Sequence, residues 1–156
     1  MGIARLREFL ERQSVVALDS CLLIYQVEAN PKYVSLTHEV FSWLQRPRSR
    51  GITSTISMTE LLVQPYREDN LSQVDDFYAL FSTFPNLTWI PPSLEIADLA
   101  ARIRGQYGFR TPDALLAATA IQGSATGLIT NDAVFRRVPG IEIAVLDDLL
   151  KGQQHT

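Results

Sequence analysis

The feature that most constrains this fold is the alternation of short, β-branched apolar runs with longer segments of helical periodicity. Each run indicates a buried strand, and in chain order the runs are VVAL (15–18), ITST (52–55), LTWI (87–90), GLIT (127–130) and IEIAVL (141–146). Strands separated by helices imply right-handed crossovers and a parallel sheet. The pattern therefore predicts an α/β fold, a three-layer sandwich with a five-stranded parallel sheet and helices on both faces.

Helical periodicity and capping residues predict the intervening helices. They are expected over residues 1–14, 21–28, 32–45, 56 to Pro65, 68–84, Ser93 to Gly105 and Gly108, Thr111 to Gly123, and briefly from Asn131 through Phe135. At 156 residues, with 46% hydrophobic and 20% charged residues, the chain has the composition of one globular domain. We predict an N-terminal helix at 1–14, the domain at 15–150 and a disordered tail at 151–156.

Composition also limits the kinds of site and partner that the chain can have. The single cysteine, Cys21, permits no internal disulfide, and no zinc-ligand spacing is present. The sequence shows neither a signal peptide nor an apolar stretch long enough for a membrane span, so we expect a cytoplasmic protein. The net charge of −3 argues against coating of nucleic acid by bulk electrostatics, but not against a nuclease whose acidic site holds metal ions.

Four acidic residues carry the functional prediction. Asp19 and Asp132 follow predicted strands, whereas Glu60 and Asp113 stand near the starts of predicted helices. In an open parallel sheet all four positions belong to the edge outside the carboxyl ends of the strands, where ligands bind. Such a cluster must bind a divalent metal or remain partly protonated, and Mg²⁺ or Mn²⁺ in a carboxylate site suits phosphodiester hydrolysis.

Each acid also has a purely structural explanation. Asp113 and Asp132 would complement the dipoles of the helices that they begin, and Glu60 could be a solvated residue on an amphipathic helix. Asp19 is the strongest single candidate, because an uncompensated charge after a buried strand is costly. The joint pattern is more informative than any one member.

Neighbouring residues suggest supporting roles. The hydroxyls of Ser20 and Thr130 flank Asp19 and Asp132 and could orient a carboxylate or a metal-bound water. We assign a supporting role to Asn131 as well. Arg102 and Arg104 could reach substrate phosphate, although a solvated helix face explains them as well. A thiol nucleophile built from Cys21 and His38 is disfavoured, because no orienting third group is evident.

Four segments together resemble the PIN domain, particularly the single-domain toxin ribonucleases of VapBC-type toxin–antitoxin modules. These segments are VVALDSCLLIY, STISMTELL, RTPDALLAATAI and LITNDAVF, and the resemblance runs from about residue 15 to residue 146. The last two are the specific ones. They combine an Asp before an apolar, Ala-rich helix with a strand that ends in Thr-Asn-Asp and has Phe three positions later.

The resemblance implies an active site made by Asp19, Glu60, Asp113 and Asp132, one or two Mg²⁺ or Mn²⁺ ions, and endonucleolytic cleavage of RNA. It further implies a homodimer and a small antitoxin protein that occupies the groove. A helix before the first strand departs from related toxins, which often begin close to that strand, so the dimer and antitoxin surfaces are less certain than the acids.

Three other functions stay open at this level. The fold could serve as a non-catalytic module that binds RNA or protein, or as a solitary RNA-processing nuclease without an antitoxin. A phosphoacceptor receiver also carries acids at strand ends, but it needs a lysine after a late strand, and Lys32 and Lys151 are not so placed.

Overall fold

The computed structural model describes residues 2–151, in which strands and helices alternate as predicted. The strands are β1 Val16–Leu18, β2 Gly51–Ser54, β3 Leu87–Ile90, β4 Gly127–Thr130 and β5 Glu142–Val145. The helices are α1 Gly2–Glu11, α2 Ser20–Val27, α3 Val34–Leu44, α4 Ile56–Arg67, α5 Leu71–Ser82, α6 Leu94–Tyr107, α7 Thr111–Gln122 and α8 Leu146–Lys151, with a 3-10 helix at Ala133–Arg137.

The five strands form one sheet in the order β3-β2-β1-β4-β5. Every neighbouring pair is parallel, and in the centre Leu18 of β1 is in register with Ile129 of β4. Strand β1 is central and β4 lies beside it, so the two strands that precede Asp19 and Asp132 end side by side. This confirms the predicted α/β class and sheet.

The two faces of the sheet are covered by different helices. Val16 and Leu18 pack into one hydrophobic cluster with side chains of α1 to α5 and α8, whereas Ala17, of opposite pleat, packs into a second cluster with α6, α7 and the 3-10 helix. The period-two alternation of side chains along a strand produces this division. The fold therefore has three layers, with two hydrophobic cores.

Helix α1 contributes to the first of these cores. Leu6 is fully buried, Phe9 and Leu10 are nearly so, and all three pack in the same cluster as β1. On the other edge of this helix, Arg7 Nε donates a 2.7 Å hydrogen bond to Glu39 of α3. The N-terminal helix thus shares a core with the rest of the molecule.

Two predicted helix ends are wrong. Pro65 was expected to stop α4, yet the helix continues to Arg67 with Pro65 buried inside it. Gly105 was expected to take part in ending α6, but α6 runs to Tyr107 and ends at Gly108, whose backbone is left-handed with φ of +72°. Packing of an amphipathic face stabilises a helix enough to offset one unfavourable residue, whereas a left-handed turn ends it.

The C-terminal region also differs from expectation. The sequence IEIAVL was interpreted as one strand, but β5 covers only Glu142–Val145, and Leu146 begins helix α8, which was not predicted. Lys151 is the last residue of α8. The remainder of the predicted disordered tail, residues 152–156, lies outside the described residues.

Candidate functional site

Asp19 lies at the centre of the sheet edge where β1 ends. Its backbone N–H donates a 3.0 Å hydrogen bond to Ile129 O of β4, and its side chain caps the N-terminus of α2 by accepting from Ser20 N at 2.7 Å. The second carboxylate oxygen accepts a 2.7 Å hydrogen bond from the buried hydroxyl of Thr130. Ser20 and Thr130 thereby fix the orientation of this carboxylate.

Asp132 is connected to Asp19 through the same threonine. The N–H of Asp132 donates to Thr130 Oγ1 at 3.0 Å, while its Oδ1 accepts from Val134 N at 3.0 Å and so caps the 3-10 helix. Asp132 is exposed. Its capping contact matches the structural explanation given above, and it leaves Oδ2 without a recorded hydrogen bond among the described residues.

Glu60 and Asp113 approach the same edge from the two helices that flank it. Asp113 stands in the first turn of α7 with its side chain only 14% exposed, and Glu60 is an exposed residue of α4. The charges of Asp19 and Asp113 both act on Glu60. Two sides of the sheet therefore deliver acids to one end of it.

Burial and mutual repulsion raise the pKa of two members of this cluster. Burial raises the pKa of Asp19 above its ordinary value, the hydrogen bonds from Thr130 and Ser20 lower it, and the negative charge of Asp113 raises it again. Glu60 is exposed as a whole, but partial desolvation of its carboxyl likewise raises its pKa, and the charges of Asp19 and Asp113 raise it further. A cation beside Asp19 and Glu60 would offset these effects, because it favours the charged form of a carboxyl.

The predicted supporting residues divide into two groups. Ser20 and Thr130 contact Asp19 directly. The side chain of Asn131 instead donates to Tyr25 OH at 3.2 Å and accepts from Asp147 N at 2.9 Å, which ties the end of β4 to α2 and α8. Asn131 therefore holds the surroundings of the acids and does not itself contact their carboxylates.

The two predicted substrate arginines have other partners. Arg102 Nε pairs with Asp98 at 3.2 Å on the exposed face of α6. Arg104 Nε donates a 2.9 Å hydrogen bond to Phe109 O, at the turn between α6 and α7. Neither contact joins an arginine to the four acids, and a role in substrate binding stays a prediction for both.

The structure reveals an arginine that the sequence reasoning missed. Arg110 is the N-cap residue of α7, and its Nε lies 3.1 Å from Asp113 Oδ2. The charges of Asp113, Asp132 and Glu60 all act on its guanidinium. The spacing Arg-Thr-Pro-Asp could have indicated this pair, since residues three apart at a helix start face each other.

Cys21 lies beside the cluster without the properties of a nucleophile. Burial, and then the charges of Asp19 and Glu60, raise the pKa of its thiol far above the ordinary value. A thiol that keeps its proton is a weak nucleophile. The geometry thus agrees with the argument from sequence against thiol catalysis.

The acids fit a hard divalent cation by chemical type, because Mg²⁺ and Mn²⁺ prefer carboxylate oxygens. Asp19 also presents a desolvated carboxylate, which a cation would stabilise. Within residues 2–151, however, no three His, Cys, Asp or Glu side chains are grouped closely enough to hold one ion as they stand. The same residues include no helix with the length and hydropathy needed to cross a membrane.

The family model of the PIN domain matches residues 16–141, which include strands β1 to β4 and all four acids. The chain belongs to the PIN domain family. This confirms the resemblance drawn from the sequence motifs. A comparison with curated protein sequences gave no match.

Solved structures with the same fold include proteins of toxin–antitoxin systems. VapC20 of Mycobacterium tuberculosis, a Sarcin-Ricin loop cleaving toxin, has a TM-score of 0.66 at 12% identity, over 81% of this chain and 97% of that one. VapBC-1 of nontypeable Haemophilus influenzae has a TM-score of 0.64 at 22% identity, over 85% and 98%. A toxin–antitoxin complex from Klebsiella pneumoniae has a TM-score of 0.62 at 20% identity, over 84% and 97%.

Proposed function

We propose that this PIN domain protein is a metal-dependent endoribonuclease and the toxin of a type II toxin–antitoxin module in the cytoplasm. The observation that carries the proposal is the position of Asp19. Its half-buried carboxylate lies at the end of the central strand, is held by Ser20 and Thr130, and is close enough to Asp113 and Glu60 for their charges to interact with it.

In this proposal Asp19, Asp113 and Asp132 hold the ion, and Glu60 completes the site or positions the attacking water. When bound, Mg²⁺ or Mn²⁺ supplies positive charge that stabilises the phosphate and eases deprotonation of water. Because no three of these carboxylates are grouped closely enough to hold one ion as they stand, some of them would move when the ion binds. Thr130 fixes Asp19 during that movement through its 2.7 Å hydrogen bond.

The test is cleavage of single-stranded and structured RNA by the purified chain in Mg²⁺ or Mn²⁺, with and without EDTA. Asp19→Asn keeps the size and the helix cap but removes a charged ligand, so cleavage should fall by several orders of magnitude. Asp76→Asn is the matched control, because Asp76 is exposed on α5. Equal cleavage by Asp19→Asn and the parent would show that the site assignment is wrong.

Calorimetric titration with Mn²⁺ separates this proposal from a non-catalytic binding module. The parent should take up Mn²⁺ saturably, and Asp19→Asn and Asp113→Asn should not. Uptake that does not depend on either residue, together with RNA binding without cleavage, would favour the binding module.

An antitoxin partner is supported by an apolar groove of about 670 Å³ between α4, α5 and β3. It is lined by Met58, Leu62, Val63, Tyr66, Tyr78 and Trp89, among other residues. Val63, Tyr66 and Tyr78 are exposed. Exposed apolar patches of this kind mark interaction sites, and an amphipathic helix suits such a groove.

The partner can be tested through the neighbouring reading frame. Co-expression with a small protein encoded there, if its N-terminal half binds DNA, should give a stable complex that inhibits cleavage. Tyr66→Ser should weaken that complex without changing cleavage by the free chain. Inhibition that is unaffected by Tyr66→Ser would place the antitoxin elsewhere, and sedimentation of the free chain would decide whether it is a homodimer.

A further inference from the structure

Arg110 covers the solvent side of the acid cluster. It lies in the turn before α7, where its Nε donates a 3.1 Å hydrogen bond to Asp113 Oδ2. The Arg110 side chain is 77% exposed, whereas that of Asp113 is 14% exposed. Among the hydrogen bonds of the described residues Arg110 uses only Nε, so the other N–H donors of the guanidinium face solvent.

The charge around Arg110 is negative on more than one side. The hydrogen bond and the charge of Asp113 raise the pKa of Arg110, and the charges of Asp132 and Glu60 raise it further. Arg110 is also the cation that acts on Glu60. The guanidinium is therefore a counter-ion for several members of the cluster.

Two other arginines near this turn have partners outside the acid cluster. Arg102 is paired with Asp98 on its own helix, and Arg104 is bonded to a backbone carbonyl. Both contacts are compatible with a solvated helix. Arg110 combines closeness to the acids with free donors, which is the combination that a phosphate-binding residue needs.

We propose that Arg110 binds the substrate phosphate by exchanging one partner of its guanidinium, the Asp113 carboxylate, for another, the phosphate. Without metal its guanidinium neutralises Asp113; when a divalent cation takes Asp113, the guanidinium turns to a phosphate of the bound RNA. This inference rests on the proposed nuclease function and adds a residue to it.

The exchange follows from charge and geometry. A carboxylate bound to a divalent cation offers less negative charge to a second cation, and the two cations repel each other. The RNA backbone brings new negative charge to the same place, and the guanidinium fork matches phosphate oxygens bidentately. A side chain that is already mostly exposed can change partners without unfolding α7.

The experiment uses the full chain with Arg110→Gln and Arg110→Lys. The matched control is Arg7→Gln, which also removes an exposed arginine that donates through Nε to a carboxylate, in this case Glu39. Mn²⁺ affinity is measured by calorimetry without RNA, and KM for a labelled RNA is measured from initial rates at several salt concentrations. Circular dichroism melting verifies that each variant is folded.

Arg110→Gln should bind Mn²⁺ about two- to fivefold more tightly, because an exposed ion pair no longer competes for Asp113. Its KM should rise about tenfold, and the slope of log KM against log salt should fall by about one. Arg110→Lys should keep the Mn²⁺ affinity near that of the parent and recover part of the loss in KM. A purely structural role would not strengthen one binding event while weakening the other.

Failure of this inference and failure of the proposed function look different. If the parent cuts RNA and Arg110→Gln matches Arg7→Gln in Mn²⁺ affinity and in KM, the exchange is wrong and the nuclease stands. If the parent takes up no Mn²⁺ and cuts no RNA, the proposed function is wrong and the exchange falls with it.

Discussion

The hydroxyl of Thr130 links the two acids that follow neighbouring strands: it donates to Asp19 Oδ2 at 2.7 Å and accepts from Asp132 N at 3.0 Å. Thr130 is fully buried at the end of β4. One side chain thus sets the orientation of a carboxylate on β1 and the backbone position of a second acid. This relationship gives the threonine of the Thr-Asn-Asp segment a physical role.

Thr130→Val should weaken both the fold and the site. The variant leaves an oxygen of Asp19 and the N–H of Asp132 without this partner, so the free energy of unfolding should fall by about 1–3 kcal/mol. Mn²⁺ affinity should fall roughly tenfold, as for loss of a residue that orients a metal ligand. Thr119→Val is the control, because the buried Thr119 donates only to Leu115 O of its own helix. Equal Mn²⁺ affinity in both variants would contradict this role.

Asp19→Asn should stabilise the metal-free protein. Burial makes the charged form of Asp19 unfavourable, and Asn still accepts the hydrogen bond from Ser20 N as a helix cap. In EDTA the Tm should rise by about 2–4 °C, the shift expected from 1 kcal/mol in a chain of this size. Asp76→Asn should leave the Tm unchanged. A lower Tm for Asp19→Asn would mean that the hydrogen bonds from Thr130 and Ser20 stabilise the carboxylate by more than its desolvation costs.

The stability of the metal-free protein should carry a pH dependence from Asp19. Its folded-state pKa is raised above the ordinary 3.8, so its stabilising contribution is full below that value and is lost as pH rises through the raised pKa. Glu60 acts in the same direction, whereas the lowered pKa of Glu39 favours the folded state above its ordinary range. The contribution of Asp19 is therefore obtained as the difference in free energy of unfolding between the parent and Asp19→Asn at each pH.

That difference is measured by denaturant unfolding in EDTA between pH 4 and pH 7. The advantage of Asp19→Asn over the parent should be small at pH 4 and should grow toward pH 7. Mn²⁺ affinity of the parent should increase over the same interval, because its ligands must lose their protons. A constant difference across the interval would show that Asp19 ionises normally.

Asn131→Ala should reduce stability more than metal binding. The Asn131 side chain accepts from Asp147 N and donates to Tyr25 OH, and loss of both hydrogen bonds should cost about 1–2 kcal/mol. Tyr25→Phe removes only the second hydrogen bond and should cost less. If Asn131→Ala keeps the parental Tm and loses Mn²⁺ uptake, its side chain belongs among the metal ligands.

Leu6→Ala should destabilise the whole domain. Leu6 is fully buried in the same core as β1, so the truncation should cost about 2–5 kcal/mol. Leu94→Ala is the control, because Leu94 is 90% exposed, and it should change stability by less than about 0.5 kcal/mol. A small effect of Leu6→Ala would support a domain that begins at residue 15, with the first helix as an appendage.

The local sequence pattern predicted an element correctly where one local interaction decides its bounds. The strands LTWI and GLIT have the bounds that their composition predicts, and Ser93 caps α6 through its hydrogen bond to Ile96 N as expected. The local pattern failed at Pro65, which lies inside α4 because tertiary packing outweighs the low helix propensity of proline. It also failed at Leu146, because the apolar run IEIAVL contains the end of β5 and the start of α8.

The sequence by itself determined the α/β class and the parallel sheet, because periodicity and residue type act locally, and it predicted the four acids of the site. Only the tertiary structure decided how those acids are held: Thr130 between Asp19 and Asp132, Asn131 turned toward α8, and Arg110 over Asp113. Such contacts depend on side-chain directions across strands and helices that are far apart in the chain. No periodicity along the chain encodes them, since each depends on where another element ends.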